Sequence, residues 1–501
     1  MADPYYITTA ISYPNGPPHI GHAYEAIAAD AIARFQRAQG REVRFQTGTD
    51  EHGLKMAQAA RDAGMEPRAY AERMSLLFKE MCDTLNISYD RFLRTSEDDH
   101  HRASKAIWSA MEANGDLYLD SYAGWYSVRD EAFYEEAELS GGEGGARLSP
   151  NGTPVEWTEE ASWFFRLSKY QQPLLDHYAA NPDFIQPDSR RNETLRFVEG
   201  GLRDLSISRT SFDWGITVPG SGDHVMYVWL DALTNYITGL GYPDDTGLWD
   251  KFWPANVHLI GKDVVRFHAV YWPAFLMSAG IALPKQVYGH GFLLSRGEKM
   301  SKSVGNVVEP MALADRFGVD ALRYFLLREV SFGQDGSYSA EAIVARANAE
   351  LANSFGNLAQ RTLSMIFKNL GGVIPAAGDS ETDRALLTSV AQAVDEELPQ
   401  AFDRFAFSQG IEAWMKAVFE CNAYIDEAAP WALRKSDPER MAVVLGTLVV
   451  AIRRLAVAIE PIIPASAQKL IAAIDAGEGG SPIAQPVALF PRLELEEEKA
   501  A

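Results

Sequence analysis

Two histidines three residues apart are the first feature of this sequence that could do chemistry. The segment Pro17-Pro18-His19-Ile20-Gly21-His22 follows a β-rich run and opens a helical stretch. Free backbone amides and the helix dipole favour phosphate at a helix N-terminus. Because His19 and His22 are three positions apart, both can face the same phosphate chain. The segment therefore predicts a phosphate-binding helix start; the alternative is that the two side chains only cap the helix.

A pair of lysines is the second such feature. The segment Glu298-Lys299-Met300-Ser301-Lys302-Ser303 places small hydroxyl residues near two flexible positive charges. A lysine can follow negative charge as it moves, because its ammonium group is a point charge on a long stem. We predict a loop that clamps a polyphosphate; the alternative is a solvated basic turn.

The elements that must position these two segments alternate between strand and helix. Strand-like runs and helix-like stretches follow one another through residues 1–115 and again after residue 202, which predicts βαβ units and a parallel sheet. The predicted strands are 5–11, 42–47, 91–95, 224–230, 256–260 and 286–294, and the predicted helices are 20–39, 67–85 and 264–279.

Two further regions differ from this alternation. Residues 116–199 are rich in aromatic side chains and glycine and predict an irregular inserted lobe. From residue 339 onward, apolar residues recur every three to four positions, which predicts a helical bundle. Its predicted helices are 340–369, 382–400, 406–428, 438–458 and 465–476.

We therefore predict an α/β fold class. A Rossmann-like, parallel-sheet catalytic domain contains an inserted connective lobe and is followed by a C-terminal α-helical bundle. The predicted domains are a first catalytic half at 1–115, the insert at 116–200, a second catalytic half with the lysine loop at 201–338, and the helical domain at 339–501.

Composition limits the classes of function. The 501 residues carry 46 basic and 68 acidic side chains, a net charge of -22, which argues against general nucleic-acid binding but allows a local basic face. Cys82 and Cys421 are the only cysteines, so a disulfide framework is excluded. The apolar run 441–452 is too short to cross a bilayer, and the first residues do not form a signal peptide. We expect a cytoplasmic protein without membrane contact.

The two motifs together resemble the signatures of class I aminoacyl-tRNA synthetases. Further segments are similar to the methionyl-tRNA synthetase family, in order along residues 5–431: Ala-Ile-Ser-Tyr-Pro-Asn-Gly at 10–16, Thr-Asp-Glu-His-Gly at 49–53, Tyr-Val-Trp-Leu-Asp-Ala at 227–232, Ile-Gly-Lys-Asp at 260–263 and Phe-His at 267–268. The resemblance implies ATP-dependent activation of methionine and its transfer to a tRNA. It implies that His19, His22, Lys299 and Lys302 are catalytic.

The resemblance also implies a methionine pocket. Aromatic and aliphatic side chains suit a polarizable thioether, and a carboxylate suits the substrate ammonium group. The implied pocket residues are Ile11, Tyr13, Asp50, Trp229, Ala232, Leu233, Tyr236, Ile260, Val264 and His268. Leu233 departs from the family pattern, since some relatives have proline there, but leucine keeps that wall apolar.

The family implies an ATP site as well. ATP is expected to bind as its Mg²⁺ complex. The implied residues are Asn15, Gly16, His19, His22, Glu25, Gly261, Asp263, Gly291, Phe292, Leu293 and Lys302.

Three residues of the helical domain are implied to read the anticodon. Asn357 and Arg361 are four positions apart and share one helix face, and Trp431 follows a predicted helix end. Amide hydrogen bonds, guanidinium planes and aromatic stacking are the means by which unstacked RNA bases are read. The alternative is a capped helix end with a buried tryptophan.

The insert departs from many relatives, whose cysteine knuckles bind zinc. Residues 116–199 contain no cysteine, and His177 is their only histidine, so we predict a metal-free insert. We also expect a monomer, because no oligonucleotide-binding extension follows residue 501.

Several rival interpretations remain. A cysteinyl enzyme needs a zinc-binding cysteine cluster, and a leucyl enzyme needs a much longer chain with an editing domain. A non-catalytic tRNA-binding relative is disfavoured by the intact histidine and lysine motifs. A nicotinamide oxidoreductase is disfavoured because no Gly-x-Gly-x-x-Gly follows the first strand.

Overall fold

The structure is a computed structural model that describes residues 3–130, 132–142, 145–244, 246–295, 298–299 and 308–495. The chain divides into two units. The first, termed the sheet unit, comprises Met1–Ala29, Gln39–Asp83 and Ile87–His290. The second, termed the helical unit, comprises Asp30–Ala38, Thr84–Asn86 and Gly291–Ala501.

The strands form one parallel sheet and several smaller sheets. In chain order they are β1 (Tyr5–Thr9), β2 (Val43–Thr49), β3 (Arg91–Arg94), β4 (Leu117–Ser127), β5 (Ala132–Tyr134), β6 (Ser140–Gly141), β7 (Arg147–Leu148), β8 (Glu156–Phe165), β9 (Ile185–Gln186), β10 (Leu205–Ser206), β11 (Ser208–Arg209), β12 (Thr217–Val218), β13 (Ser221–Met226), β14 (Val257–Gly261), β15 (Val287–His290), β16 (Leu293–Ser295), β17 (Glu298–Lys299) and β18 (Gly336–Tyr338).

The helices surround this sheet in the first unit and make up most of the second. They are α1 (Ile20–Ala38), α2 (Leu54–Asp62), α3 (Pro67–Thr84), α4 (Asp98–Ala113), α5 (Gln171–Ala180), α6 (Asp188–Glu199), α7 (Val228–Thr238), α8 (Leu248–Phe252), α9 (Trp272–Ser278), α10 (Pro310–Phe317), α11 (Val319–Glu329), α12 (Ala340–Arg346), α13 (Asn357–Asn369), α14 (Glu381–Gln392), α15 (Leu398–Asp403), α16 (Phe407–Ala428), α17 (Pro430–Ser436), α18 (Pro438–Ile459) and α19 (Pro464–Asp475).

The parallel sheet of the sheet unit has the strand order β3-β2-β1-β14-β15-β9. Every residue of β1 is buried, as expected for a strand in a parallel sheet that is covered on both faces. The chain leaves β1 towards β2 and later returns to its other side as β14. Ligands of such sheets bind at the carboxyl ends of the strands on either side of this reversal. The predicted Rossmann-like class with a helical C-terminal domain is confirmed.

The insert is more regular than the sequence predicts. The long strands β4 and β8 pair antiparallel along ten residues, and β5 and β10 complete this sheet. The prediction of an irregular lobe is therefore wrong. The strands were missed because apolar and polar residues do not alternate clearly along them. Large apolar side chains such as Leu119 and Trp157 are more than half exposed. Within the same segment, β9 joins the edge of the parallel sheet.

Two predicted strands are wrong at their C-terminal ends. The predicted strand 224–230 ends at Met226, and α7 begins two residues later. The predicted strand 286–294 ends at His290, and β16 belongs to a separate sheet. Gly291 lies between them, where a Cβ atom would come within 2.1 Å of the Gln334 carbonyl oxygen. The close approach of the two backbones explains the break.

The helical unit packs around α18, which contacts α13, α14, α16, α17 and α19. Among the described residues α18 is the one helix long and apolar enough to cross a membrane, yet 61% of its most apolar stretch is buried in the structure. The guanidinium of Arg323 is also fully buried. It donates to Asp30 Oδ2 at 2.6 Å and to the Pro461 and Ile462 carbonyls at 2.9 Å each. These partners compensate the buried charge.

Candidate active site

The loops after β1 and β2 are joined at the carboxyl edge of the parallel sheet. The Ser12 N–H donates to the Gly48 carbonyl at 2.9 Å, and the Asp50 N–H donates to the Ser12 carbonyl at 2.8 Å. These bonds extend the pairing of the two strands by a few residues. They bring the loop that carries Ile11 and Tyr13 beside the loop that carries Asp50.

The first turn of α1 holds the two motif histidines against each other. Their rings stack with centroids 3.8 Å apart. The His19 N–H donates to His22 Nδ1, and the Gly21 N–H donates to His19 Nδ1, both at 3.1 Å. Because both Nδ1 atoms accept, the proton of each neutral ring resides on Nε2. The turn therefore offers two Nε2–H donors beside the N-terminal amides of α1.

Gly21 is required by this arrangement. A Cβ atom at position 21 would lie 2.9 Å from His19 Cε1 and 3.0 Å from Nδ1. Any side chain there would displace the His19 ring from the helix start. The glycine between the histidines therefore determines where the first imidazole points.

One face of α7 carries four of the predicted pocket residues. The predicted residues Trp229, Ala232, Leu233 and Tyr236 recur at intervals of three and four, so they share that face. Trp229 stacks on Phe267 with centroids 3.7 Å apart and an interplanar angle of 6°. Its ring also meets the edge of His268, 6.2 Å away.

His268 is held in one neutral form. Its Nδ1 donates to the Val264 carbonyl at 2.9 Å, so Nε2 accepts from the Tyr236 hydroxyl at 2.6 Å. Burial lowers the pKa of His268 to about 4. The ring is therefore uncharged at neutral pH and forms a polar but neutral wall. Ile260, fully buried at the end of β14, completes the set of predicted residues that lie in this region of the sheet unit.

Tyr13 and Asp50 lie in the loops that follow β1 and β2 in the sheet unit. The Tyr13 hydroxyl donates to the His52 carbonyl at 2.7 Å and accepts from the Met56 N–H at 3.1 Å. The Lys55 ammonium lies 5.0 Å from the Tyr13 ring centroid. Asp50 is 7% exposed. Asp50 precedes by two residues the His52 carbonyl that accepts the Tyr13 hydroxyl.

The predicted ATP residues of the sheet unit also lie at this edge. Glu25 and His22 line one small cavity with Thr9, Ala10 and Ser12. His290 Nε2 lies 2.8 Å from Glu25 Oε2. Burial raises the pKa of Glu25, although the His290 contact opposes that shift.

The remaining ATP residues of this unit follow β1 and β14. Asn15 and Gly16 precede α1, and the Asn15 N–H donates to the Tyr13 carbonyl at 2.9 Å. Gly261 ends β14, and a Cβ atom there would lie 2.8 Å from Asp263 Oδ1. The glycine therefore leaves room for the Asp263 carboxylate, which is exposed.

The other predicted nucleotide and phosphate residues belong to the helical unit. Gly291, Phe292 and Leu293 lead into and begin β16, and the Phe292 N–H donates to Asp335 Oδ1 at 2.8 Å. Lys299 ends β17, which pairs antiparallel with β16. Lys302 lies outside the described residues.

The predicted anticodon residues are on the surface of the helical unit. The Arg361 guanidinium lies 5.1 Å from the centroid of the Trp431 ring and donates to Asp426 Oδ1 at 2.8 Å. Trp431 is 47% exposed, so it is not the buried tryptophan of the alternative interpretation. Asn357 is exposed at the beginning of α13, one helical turn before Arg361.

Comparison with known proteins gives a family for nearly the whole chain. Residues 5–143 and 145–363 match the family described as tRNA synthetases class I (M), and residues 374–490 match the anticodon binding domain of methionyl tRNA ligase. A methionine–tRNA ligase of Brucella suis is 58% identical over 97% of this chain and 98% of its own length. That of Rhizobium meliloti is 55% identical, with 98% of each chain covered.

A solved structure shares the fold. Mycobacterium tuberculosis methionyl-tRNA synthetase in complex with methionyl-adenylate matches with a TM-score of 0.94 and 55% identity, covering 98% of this chain and 100% of that one. The chain belongs to the methionyl-tRNA synthetase family of class I aminoacyl-tRNA synthetases. The predicted family and enzyme class are confirmed. Its reaction uses ATP, methionine and tRNA.

Three residues without a role in the sequence prediction contact predicted site residues or lie beside them in a quoted motif. Phe267 stacks on Trp229, and His290 contacts Glu25, as described above. Asp231 lies within a recognised motif but carried no predicted role. Phe267 and Asp231 could have been found as neighbours of pocket residues within quoted motifs. His290 lies inside the predicted strand 286–294, so its place at the end of the observed strand β15 could not be recognised from the sequence.

The next feature is the arrangement of the side chains that could bind a metal ion. Within the described ranges, no group of three or more His, Cys, Asp or Glu side chains is arranged to hold a metal ion. His177 of the insert lies on α5, and burial lowers its pKa. Its ring packs against Phe184 with centroids 4.6 Å apart, as expected of an aromatic core contact.

Proposed function

We propose that this chain is a cytoplasmic, monomeric methionine–tRNA ligase whose active site is the carboxyl edge of the parallel sheet. The observation that carries this proposal is that a stacked histidine pair at the start of α1 and four predicted pocket residues on one face of α7 occur together in a chain of this family. One group suits a triphosphate and the other suits a thioether side chain.

Methionine binds in the apolar region of the sheet unit. Its thioether packs against Trp229, Tyr236 and His268, because sulfur is attracted to aromatic edges. The Asp50 carboxylate pairs with the substrate ammonium, and the other pocket residues are Ile11, Tyr13, Ala232, Leu233, Ile260 and Val264. Neutral His268 adds no charge that would repel or attract a charged competitor.

ATP binds with its phosphates at the start of α1. His19 and His22 donate to the phosphates from Nε2. The role that we propose for Lys299 and Lys302, of the second motif, is to bind the leaving pyrophosphate. Mg²⁺ arrives with ATP as part of the substrate. The ribose and base contact Asn15, Gly16, Glu25, Gly261, Asp263, Gly291, Phe292 and Leu293.

Activation is an in-line displacement at the α-phosphate. A methionine carboxylate oxygen attacks, a bond to the α-phosphorus forms, and pyrophosphate leaves with the electrons of the broken bond. The protein contributes positioning and stabilisation of developing charge, because little proton transfer is required. A terminal ribose hydroxyl of tRNA then attacks the methionyl carbonyl. The ester bond forms, the acyl–phosphate bond breaks, the hydroxyl proton passes to the departing phosphate, and AMP leaves.

The helical domain selects the tRNA. Trp431 stacks on an anticodon base, Arg361 supplies its planar cation, and Asn357 supplies an amide. The exposed faces of Arg434 and Lys435, on the same short helix as Trp431, add local positive charge to an acidic protein. The predicted domains 1–115, 116–200, 201–338 and 339–501 are the organisation that we propose for these roles.

Aminoacylation with metal removal tests the proposal. The purified protein should attach labelled methionine to methionine tRNA in the presence of ATP and Mg²⁺. EDTA should abolish the reaction and excess Mg²⁺ should restore it, while the melting temperature stays the same because the fold does not depend on a knuckle. Failure to charge the tRNA under any Mg²⁺ concentration would contradict the function. Stoichiometric zinc in the purified protein by mass spectrometry would contradict the metal-free insert.

A further inference from the structure

A buried carboxylate links three segments around the methionine pocket. Asp231 is fully buried on α7, between pocket residues Trp229 and Ala232. Its Oδ2 lies 2.7 Å from His52 Nδ1, in the loop after β2. Its Oδ1 lies 2.7 Å from His100 Nε2, on α4. The side chain therefore connects α7, α4 and the Asp50–His52 loop within the sheet unit.

The connection continues to the surface of the pocket. His52 presents its carbonyl to the Tyr13 hydroxyl at 2.7 Å. His52 itself is fixed by Trp214, whose ring lies 5.1 Å away and whose backbone carbonyl accepts the Gly53 N–H at 3.1 Å. His100 is fixed by Thr238 Oγ1, 3.0 Å from its Nδ1. A displacement of Asp231 therefore reaches Tyr13 through one residue.

Electrostatics favour an ionised Asp231. Burial by itself raises the pKa of this carboxyl, but the contacts with His52 and His100 outweigh burial and hold the pKa below its usual range. His101 also lies nearby, 5.4 Å from the His52 ring, and burial lowers its pKa to about 4. His101 is therefore neutral at neutral pH. The two bonds of Asp231 are charge-assisted, which makes them stronger than neutral hydrogen bonds.

We propose that Asp231, acting through His52 and His100, is a positioning residue that sets the distance between Tyr13 and the α7 wall and so determines affinity for methionine. The proposal rests on the proposed function of this site. It differs from a purely structural role, because it predicts a selective effect on one substrate. Among the described ATP residues, His19, His22, Glu25, Gly261 and Asp263 form no hydrogen bond with Asp231, His52 or His100, so the KM for ATP should change little.

Asp231→Asn is the direct test, since it keeps the side-chain volume and removes the charge. The Kd for methionine, measured by tryptophan fluorescence without ATP, should rise about 10- to 100-fold, because coupling energies between residues in contact correspond to changes of this order in an equilibrium constant. The KM for ATP in pyrophosphate exchange should change less than about threefold, because the substitution weakens the binding of methionine and not that of ATP. An unchanged methionine Kd, or equal losses for both substrates, would overturn the proposal.

Asp116→Asn is the matched control. Asp116 is likewise a buried carboxylate of the sheet unit, held by Lys169 at 2.7 Å and Ser278 at 2.7 Å. Its replacement should lower the melting temperature and leave the methionine Kd unchanged. If both variants weaken methionine binding equally, Asp231 has only a structural role and the proposal fails.

The route through Tyr13 is tested by a double-mutant cycle. In a Tyr13→Phe background, Asp231→Asn should raise the methionine Kd much less than in the wild type, because coupled residues are not additive. Additive effects would contradict the route. If Asp231→Asn does not fold, His100→Gln replaces it in both measurements with the same criteria. A wild-type protein that binds no methionine would instead contradict the proposed function itself, so the two failures are distinguishable.

Discussion

His22→Ala is expected to lower kcat for methionine-dependent pyrophosphate exchange by about 10²–10³-fold, the usual cost of one donor to transition-state charge. In the proposed mechanism the ring donates from Nε2 at the start of α1, where the α-phosphate would develop charge as pyrophosphate leaves. A donor that acts mainly in the transition state affects kcat much more than the methionine KM. Steady-state exchange kinetics with varied methionine measure both constants.

Lys302→Ala provides an independent replacement in the same prediction, because it changes the second phosphate motif without altering α1. It should show the same dominance of the kcat effect. The melting temperature of each variant shows whether the fold is intact. An effect confined to the methionine KM in folded His22→Ala protein would mean that the histidine binds the ground state, and the proposed role would be wrong.

Trp431→Ala is expected to separate the two halves of the reaction. Loss of one stacked base removes about 1–3 kcal/mol. Transfer of methionine to tRNA should therefore fall roughly ten- to hundred-fold, since each 1.4 kcal/mol is a factor of ten. Pyrophosphate exchange without tRNA should stay near the wild-type value, because the residues that we propose to bind methionine lie in the sheet unit and Trp431 lies in the helical unit. Arg361→Ala should give a transfer defect of similar size.

Phe367→Ala is the control for this surface. Phe367 is also partly exposed and lies on α13, six positions after Arg361 and so on a different face of that helix. Its loss should leave transfer unchanged.

A tRNA with an altered anticodon should be charged poorly by the wild type, with much less further loss in Trp431→Ala. Equal sensitivity of both proteins to the anticodon would contradict the stacking role.

The sequence predicted the central elements of the sheet unit well for a physical reason. A β-rich run, a turn cluster and a following helical stretch predicted β1 and α1, and the predicted and observed starts of α1 are both Ile20. Long amphipathic stretches similarly predicted α16 and α18. By contrast, the apolar run 225–230 crosses the end of β13 and the start of α7, and the polar side chains that mark one face of α7, Asp231, Thr234 and Asn235, follow it. A continuous apolar run cannot distinguish a strand from a buried helix.

In the candidate site, too, local sequence patterns predicted some features and not others. Motif spacing predicted the histidine pair, and family resemblance predicted most of the pocket. The Trp229–Phe267 stack and the Asp231–His100 contact join residues 38 and 131 positions apart. Such pairs depend on packing of whole elements, which local patterns do not contain. The exposed position of Trp431 was also not predictable, because a tryptophan at a helix end can be buried or exposed.

Amino-acid-dependent pyrophosphate exchange, measured with each of the twenty amino acids, determines which side chain the active site accepts. Methionine alone should drive strong exchange. Near-cognate side chains that differ by one methylene should be disfavoured by about 10- to 200-fold, the range that an apolar pocket can achieve. Exchange driven strongly by leucine or cysteine, with methionine weak, would contradict the assignment of the α7 pocket to methionine.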